Sequence, residues 1–248
     1  MIKIECDETH GWDAAIAGMR NPMNSWDKSD SKKVYEEVYG DPFLTRPYIE
    51  VGKNDLALMR KLANAGTDHR KFMRMITVYC DITAPLYWWK EFDTYKVGTV
   101  ANSCSTMHKI QAKEFTTKDF SCEHIFKTPV KVEMPNSLPL LGGDDLPEYN
   151  IDTDEVVEIV ISALNNCREK YLETKDKKYW WQMIQLLPSS YNQKRTVMLN
   201  YEVLANIYKS RKNHKLDEWH DFCDWIKTLP YSELIINPGC GFENERAM

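Results

Sequence analysis

Apolar residues recur every three to four positions along much of the chain, which is the spacing that buries one face of a helix. This pattern predicts helices over 11–19, 56–65, 153–172, 178–186, 193–211 and 215–227. Between the first two, polar residues dominate 21–34, where we expect a loop. Helices with one apolar face need a shared core, so the pattern indicates a globular protein.

Several of these helices carry residues suited to their ends. Asn54 or Asp55 can cap the helix over 56–65, and Gly66 suits its C-terminal end. Asp152 can cap the helix over 153–172, and Pro188 follows the end of the helix over 178–186.

One stretch alternates with the period of a strand. In 75–82, Ile76, Val78, Cys80 and Ile82 fall on one side, so we expect a strand buried on that face. Pro85 then suits the first turn of a helix over 86–95, which opens with Trp88 and Trp89 and breaks before Gly98. A polar loop over 97–106 and a further strand over 129–134 complete the predicted elements.

The predicted helix over 193–211 contains an inconsistency. Val197, Leu204 and Tyr208 define its buried stripe, and helical spacing places Asn200 and Arg211 on that same stripe. A buried amide and a buried guanidinium both need hydrogen-bond partners. Those partners are either core groups or a bound ligand, and spacing alone does not choose between them.

Composition and charge narrow the class of protein. The 248 residues are 43% hydrophobic, which suffices for a substantial core, and we expect one domain over 1–236. The segment 111–150 is its variable part, and 237–248 forms a loose tail. The formal net charge of −5 argues against a general nucleic-acid binder, although local cations can still hold small anions.

The seven cysteines are widely scattered and odd in number. With no signal peptide and no apolar run long enough to span a membrane, they favour a reducing cytoplasm and no membrane partner. We expect most of them to be small buried side chains or inert thiols. His220 and Cys223 lie one helical turn apart, but no second such pair joins them, so we expect no metal site.

The order of elements around the twin tryptophans is specific. A helix ends at Gly66 with His69 just after it, then come a strand, the helix after Pro85, and a glycine followed by hydroxyl and amide positions. Much later, Leu187-Pro188 precedes a helix carrying Asn200 and Arg211. This order resembles the flavin-dependent thymidylate synthases, whose signature reads R-H-R-x-x-S-x-N-E-x-S-x-R-Y and is followed by L-P and N-L-R. The resemblance covers about 55–109 and 178–228.

Aligning Pro85 with the family's proline lays 94–108 over that signature, with one extra residue near Val100 or Ala101. By this resemblance, FAD is bound by His69 and by the residues at the R-H-R, asparagine and N-L-R positions, here Thr94, Tyr95, Lys96, Asn102 and Asn200. The residues that it places around the substrate are Lys90, Glu91, Thr99, Ser103, Ser105, Met107, His108 and Arg211.

The resemblance implies an α+β fold with a sheet flanked by helices. It further implies a homotetramer with active sites shared between subunits, and methylation of dUMP to dTMP by reduced FAD with methylene-tetrahydrofolate and NADPH. No cysteine acts as a nucleophile in the family, so Cys104 inherits no role. Glu91 falls where the family has a glutamine near the pyrimidine, which hints at an altered substrate.

The signature has lost most of its cations. Thr94 and Tyr95 stand for an arginine and a histidine, Ser103 for the glutamate, Met107 for the last arginine and His108 for the tyrosine. Lysine at position 96 offers a point charge instead of an arginine fork. Eight residues could compensate for the losses, of which we expect two or three near a site: Arg70, Lys71, Arg74, Lys90, His108, Lys109, Lys194 and Arg195.

Two functions remain open from the sequence. The first is a divergent enzyme of this type, acting on dUMP or a related pyrimidine nucleotide. The second is a non-catalytic descendant of the fold that binds a nucleotide or serves as a regulatory or structural protein. The retained Thr99, Asn102, Ser105, Asn200 and Arg211 favour the enzyme, and the lost cations favour the descendant.

Overall fold

The computed structural model describes residues 2–38, 41–133 and 148–237. Its strands are β1 (Lys3–His10), β2 (Lys32–Val38), β3 (Asp41–Glu50), β4 (Thr77–Pro85), β5 (Val100–Ser103), β6 (Pro129–Glu133), β7 (Glu148–Asp152) and β8 (Asn192–Asn200). Its helices are α1 (Trp12–Arg20), α2 (Lys53–Asn64), α3 (Leu86–Phe92), α4 (Thr153–Thr174), α5 (Lys177–Leu186), α6 (Tyr201–Arg211), α7 (Asp217–Thr228) and α8 (Glu233–Ile236). The expected α+β class is confirmed.

The chain forms two compact units. The first unit comprises 84–90 and 103–193, and the second comprises 2–83, 91–102 and the chain from 194 onward. The extent predicted for the domain, 1–236 with a variable part at 111–150, stays a prediction. Most of the predicted tail lies outside the described residues.

The second unit is built on the alternating strand. The sheet order is β1-β4-β8-β5, and β1 pairs antiparallel with β4, with Ile4 opposite Ile82. Ile76, Val78, Cys80 and Ile82 are all almost fully buried, so the predicted face of 75–82 is confirmed. At the C-terminal end of this unit, Trp219 and Phe222 of α7 are fully buried, as the predicted stripe of 215–227 requires.

The first unit packs α4 against α5. Its core contains Ile110, Phe115 and Phe120 from the irregular segment, with Ile161, Leu164 and Met183 from the two helices. The amide of Asn165 holds the backbone of Phe115 at both its N–H and its C=O, each over 2.9 Å. This two-sided contact ties the loop segment that carries several predicted site residues to α4.

The twin tryptophans lie in the core. Trp88 and Trp89 are at most 1% exposed, and their rings meet edge to face with centroids 5.0 Å apart. Nε1 of Trp89 donates to the carbonyl of Gln193 at the start of β8 over 2.9 Å. These two residues therefore have a structural role in the first unit, the more usual role for such a pair.

Two predicted features differ from the structure near the N-terminus of the second unit. The polar loop over 21–34 ends early, because β2 begins at Lys32 and forms an antiparallel hairpin with β3. Neither Asn54 nor Asp55 caps α2, which begins at Lys53. Instead the carboxylate of Asp30 accepts from the backbone N–H groups of both, over 2.9 and 3.1 Å. A cap supplied from 24 residues away leaves no local signal in the sequence.

The most consequential error concerns 193–211. This stretch is a strand, β8, followed by a helix, α6, and Asn200 lies at the junction. The buried residues of β8 alternate, with Gln193, Val197 and Leu199 inside. Val197 and Leu204 lie seven positions apart, which is also the spacing of a helical stripe. The pattern therefore does not reveal the boundary between β8 and α6.

The segment around the family signature also differs. Helix α3 ends at Phe92, three residues before the predicted end. The predicted loop over 97–106 contains β5 at the edge of the sheet. All four residues of β5 are exposed, so apolar alternation could not reveal it.

Candidate functional site

Asn200 holds the beginning of α6 and the loop after α3 together. Its Oδ1 accepts from the backbone N–H of Val203 over 2.9 Å, and its Nδ2 donates to the carbonyl of Gly98 over 3.4 Å. Gly98 has a left-handed backbone with φ +78°, and a Cβ atom there would lie 2.3 Å from Nδ2 of Asn200. The amide that resemblance assigns to FAD is thus engaged as a helix cap and a loop anchor.

Arg211, at the other end of α6, is bound on several sides. Its Nη1 donates to Oε2 of Glu91 over 2.7 Å, and its Nε donates to the hydroxyl of Tyr95 over 2.9 Å. The guanidinium lies 4.8 Å from the ring centroid of Trp219 and 5.6 Å from that of Tyr95. Arg211 is therefore paired with a carboxylate inside its own unit.

Glu91 collects further donors on the same oxygen. Nε1 of Trp219 donates to Oε2 over 3.0 Å, and Nε2 of His214 lies 3.3 Å from it. Nδ1 of His214 accepts from the N–H of Leu216, which leaves the ring proton on Nε2, facing Glu91. Four predicted site residues of the second unit, Glu91, Tyr95, Asn200 and Arg211, are thereby brought into contact with one another or with the loop that joins them.

The other predicted residues of this unit are less constrained. The hydroxyl of Thr94 donates back to the carbonyl of Glu91 over 2.7 Å, which uses it locally. Lys96 and Asn102 are exposed, and so is His69, whose backbone N–H bonds to Gly66. The hydroxyl of Thr99 is buried, and among the described residues it meets no hydrogen-bond partner.

The predicted residues of the first unit lie along one segment that borders two cavities. Oγ of Ser105 accepts from the N–H of His108 over 3.0 Å, which closes a turn. A cavity of about 290 Å³ is lined by Ser105 together with Cys104, Lys109, Ile110, Lys113, Phe115 and Tyr191. A second cavity, of about 350 Å³, is lined by Met107 and His108 with Gln111, Tyr171, Lys175, Lys177 and Trp180. Ser103 and Lys90 are exposed.

Half of the expected compensating cations are neutralised inside the second unit. Glu202 of α6 pairs with Arg74 and with Arg70, the latter over 3.3 Å. Lys194 pairs with Asp81 over 2.8 Å, and Arg195 with Asp93 over 2.7 Å. Of the remaining four, His108 and Lys109 border the two cavities.

Sequence reasoning missed several residues of these cavities. Lys113 pairs with Asp119 over 2.5 Å, and this hydrogen bond raises the pKa of the lysine. Burial raises the pKa of the Tyr191 hydroxyl, which is therefore a neutral donor. Lys175 is the C-cap of α4 and Lys177 is the first residue of α5, so both lie at the junction of these helices, where the sequence shows only an ordinary charged turn.

A larger cavity, of about 680 Å³, lies in the second unit away from these residues. Glu8, Asp13, Glu36 and Glu50 contribute carboxylates to its wall, and none of the predicted site residues lines it. Within the described parts of the chain, no group of three or more His, Cys, Asp or Glu side chains is placed to hold a metal ion. The described helices include none with the length and apolar character needed to cross a bilayer.

The residues assigned to FAD by resemblance fit that cofactor only in part. Thr94, Tyr95 and Asn200 are engaged by Glu91, Arg211 and the α6 backbone. His69, Lys96 and Asn102 are exposed, and Lys96 is the only lysine or arginine among the six assigned residues. Among the residues assigned to FAD, a single chain thus offers one permanently charged side chain, that of Lys96, to a cofactor that carries two phosphates.

Comparison with known proteins supports the fold. No family model and no curated protein matches the sequence. Among solved structures, Thymidylate Synthase X (ThyX) from Helicobacter pylori, with FAD and dUMP, matches with a TM-score of 0.59 and 16% identity over 95% of this chain and 97% of that chain. A UMP/dUMP methylase, PolB from Streptomyces cacaoi bound with 5-Br dUMP, matches with a TM-score of 0.54 and 12% identity over 97% of this chain and 98% of that one.

These matches extend over nearly the whole of each chain, although the sequences have diverged far. The order of elements around Pro85 and Leu187-Pro188 in the sequence predicts the same fold. This chain therefore has the fold of the flavin-dependent thymidylate synthases.

Proposed function

We propose that this chain is a divergent enzyme of the flavin-dependent thymidylate synthase type. Its reaction is methylation, or another modification, at C5 of dUMP or a related pyrimidine nucleotide, with FAD as cofactor and methylene-tetrahydrofolate and NADPH as co-substrates. Two neighbours of the same fold support the substrate class, since one was solved with FAD and dUMP and the other with 5-Br dUMP.

The observation that carries the proposal is the position of Ser105, Met107 and His108. These residues align with the end of the family signature, where Ser105 is retained and Met107 and His108 replace an arginine and a tyrosine, and all three border cavities of about 290 and 350 Å³. Pockets for small ligands start at about 300 Å³, so the two cavities have roughly the required size. Lys109, Lys175 and Lys177 contribute to their walls, which favours an anionic ligand, whereas Lys113 is paired with Asp119.

Under this proposal, FAD is held by Lys96 through its phosphates, with His69 and Asn102 as exposed polar partners. Bound FAD supplies the redox chemistry of the reaction. The chain's own residues bind and orient the nucleotide, and Tyr191 offers a neutral hydroxyl donor at the smaller cavity. Lys96 is the only lysine or arginine among the residues assigned to FAD, and a site shared between subunits would bring more positive charge to the phosphates. We therefore propose a homotetramer with shared sites, and we further propose that it acts in the cytoplasm.

A second function has an observation in its favour. Arg211 is paired with Glu91, and Arg70 and Arg74 are paired with Glu202. Cations engaged in this way are not available to a ligand phosphate without breaking an ion pair. A non-catalytic descendant that binds a nucleotide for a regulatory or structural purpose is consistent with these pairs.

Titration of the purified protein with FAD and with dUMP, followed by an assay for dTMP, separates the two functions. If the protein is the proposed enzyme, we expect bound flavin, saturable binding of dUMP and formation of dTMP when methylene-tetrahydrofolate and NADPH are added. The descendant predicts binding of the nucleotide without flavin and without product. Binding of neither FAD nor any pyrimidine nucleotide would contradict the enzyme and leave a descendant with a purely structural role.

A further inference from the structure

The cavity of about 350 Å³ in the first unit joins the signature segment to the connection between α4 and α5. Its described wall contains two lysines and a histidine, and no carboxylate is part of it. Among the described residues, neither Lys175 nor Lys177 forms an ion pair, in contrast to Arg70, Arg74, Lys194 and Arg195. The wall of this cavity therefore retains its positive charge, whereas these four cations of the second unit are neutralised by carboxylates.

Asp176, which lies between the two lysines in sequence, does not neutralise them. Its carboxylate accepts from the backbone N–H of Lys178 and pairs with Nζ of the same residue, each over 3.0 Å. The hydrogen bonds and charge of Lys178 lower the pKa of Asp176, so it stays ionised as the cap of α5. The two neighbouring ammonium groups remain available to another anion.

Lys175 occupies a backbone conformation that favours glycine. It is the C-cap of α4, its φ is +58°, and its N–H donates to the carbonyl of Tyr171 over 2.9 Å. A side chain in the left-handed region costs free energy that glycine avoids, and glycine is the usual residue at such a helix end. Helix termination thus gives no reason for a lysine at this position.

The aromatic side of the cavity is held in place. Nε1 of Trp180 donates to the carbonyl of Met107 over 3.0 Å, which fixes the indole against the signature segment. Nζ of Lys177 lies 6.0 Å from the centroid of the same ring. A cation beside a fixed aromatic ring suits a ligand with both a flat ring and a negative charge.

Gln111 leaves one buried acceptor without a partner. Its side-chain Nε2 donates to the backbone carbonyl of His108 over 3.2 Å, and its backbone carbonyl accepts from Nε of Arg168 over 3.0 Å. Because the side-chain NH₂ faces the carbonyl of His108, the side-chain oxygen Oε1 points away from it. Oε1 is buried, and no donor among the described residues reaches it. A buried acceptor in this state calls for a donor from outside the chain.

We infer that this cavity binds a nucleoside monophosphate, with its phosphate on Lys175 and Lys177. Gln111 accepts an N–H or O–H of the ligand through Oε1, and Trp180 provides the wall for its ring. The inference rests on the proposed function and deepens it: the charge lost where Met107 replaces the family's arginine is supplied by the α4–α5 connection. These lysines are binding residues that take no part in bond making.

The test is calorimetric titration of dUMP, and in parallel AMP, into the full-length protein and four variants. Lys175→Gly and Lys177→Gln each remove one proposed phosphate contact, and Lys175→Arg preserves the charge. Lys170→Gln is the control, because Lys170 lies on the same helix beside Tyr179 and outside the cavity wall. Because glycine suits the backbone at position 175, Lys175→Gly should melt no lower than the wild type, so any loss of binding does not reflect misfolding.

We expect Lys175→Gly and Lys177→Gln each to weaken nucleotide binding about tenfold or more. Lys175→Arg and Lys170→Gln should stay within about twofold of the wild type. Wild-type binding of dUMP that neither lysine variant reduces would overturn this inference and leave the proposed function standing. Binding of AMP without dUMP, lost in the two lysine variants, would support the inference and contradict the proposed substrate. No binding of either nucleotide would overturn both.

Discussion

Nη1 of Arg211 lies 2.7 Å from Oε2 of Glu91, so the arginine that resemblance assigns to the substrate is paired within its own chain. The guanidinium also rests against Trp219 and donates to Tyr95. This arrangement converts three positions matched to the family's site into a stabilising cluster. It gives a physical reason to expect substrate binding that differs from that of the flavin-dependent thymidylate synthases.

Replacement of Arg211 by alanine should lower the free energy of unfolding by about 1–3 kcal/mol, since Glu91 loses a charged donor in a half-buried setting. Chemical denaturation of the variant measures this loss. Lys209→Ala, on the same helix and exposed, is the control and should change stability by less than about 0.5 kcal/mol. Equal effects of the two substitutions would show that the Glu91 pair contributes nothing.

Asn200 should contribute mainly as a helix cap. Asn200→Ala removes the acceptor for Val203 N–H and should cost about 1 kcal/mol, whereas Asn200→Asp keeps that acceptor and should cost less. Gly98→Ala should be worse than either, because its Cβ would meet Nδ2 of Asn200 at a left-handed backbone position. Thermal melting of the three variants checks this order, and a harmless Gly98→Ala would refute the contact.

Lys96 is the only lysine or arginine among the residues assigned to FAD. Because it is exposed, Lys96→Ala should leave stability within about 0.5 kcal/mol of the wild type. Flavin binding should weaken about tenfold through loss of a charged contact to phosphate. Fluorescence titration of FAD measures the change, with Lys61→Ala as an exposed control. An unchanged flavin affinity would remove Lys96 from the site.

The buried pair of Asp55 and Arg20 predicts how stability depends on pH. Burial opposes ionisation of Asp55, but hydrogen bonds from Ser31, Ser29 and Arg20 outweigh it and lower the pKa. A carboxyl group whose pKa is lower in the folded state stabilises the fold above its unfolded pKa of about 3.9, and the contribution is lost as the pH falls through the folded pKa. The free energy of unfolding of the wild type should therefore decrease as the pH is lowered below about 4.

Asp55→Asn isolates that contribution. It should destabilise the protein by about 3–5 kcal/mol at neutral pH, since it leaves buried Arg20 without its counter-charge. The loss relative to the wild type should shrink in acid, where the wild-type carboxylate becomes protonated. Denaturation at several pH values tests both statements, and a loss that is constant across the acid range would contradict them.

The thiols should differ sharply in reactivity. Burial raises the pKa of Cys223 to about 11, whereas Cys104 is exposed. Because the thiolate is the reactive form, an alkylating reagent near neutral pH should modify Cys104 and spare Cys223 in the folded protein. Peptide mass spectrometry identifies the labelled site. Cys104→Ser should retain any activity, and loss of activity in that variant would give this cysteine a role that the family does not predict.

Much of the framework follows from periodicity. The alternation of 75–82 and the apolar face of α7 correspond to buried faces, because burial on one side leaves a regular pattern. The strand β8 and the cap at Asn200 could not be predicted in the same way. Val197 and Leu204 mimic a helical repeat across a boundary, and only the pairing of β8 within the sheet decides its conformation.

The candidate site was predictable only in part, for a similar reason. Residues 94–108 could be aligned with a signature, so Ser105, Met107 and His108 were found. Lys175, Lys177 and Gln111 were not, because they reach the cavity through tertiary packing that no local pattern records. The pairing of Arg211 with Glu91 joins residues 120 positions apart, and it too becomes visible only in three dimensions.

The proposed C5 methylation is best tested by a turnover assay, in which purified protein saturated with FAD is mixed with dUMP, methylene-tetrahydrofolate and NADPH, and the nucleotide is analysed by mass spectrometry. We expect a nucleotide that has gained a methyl group at C5, with the flavin bound to the protein. Unchanged dUMP from a protein that retains neither flavin nor nucleotide would contradict it.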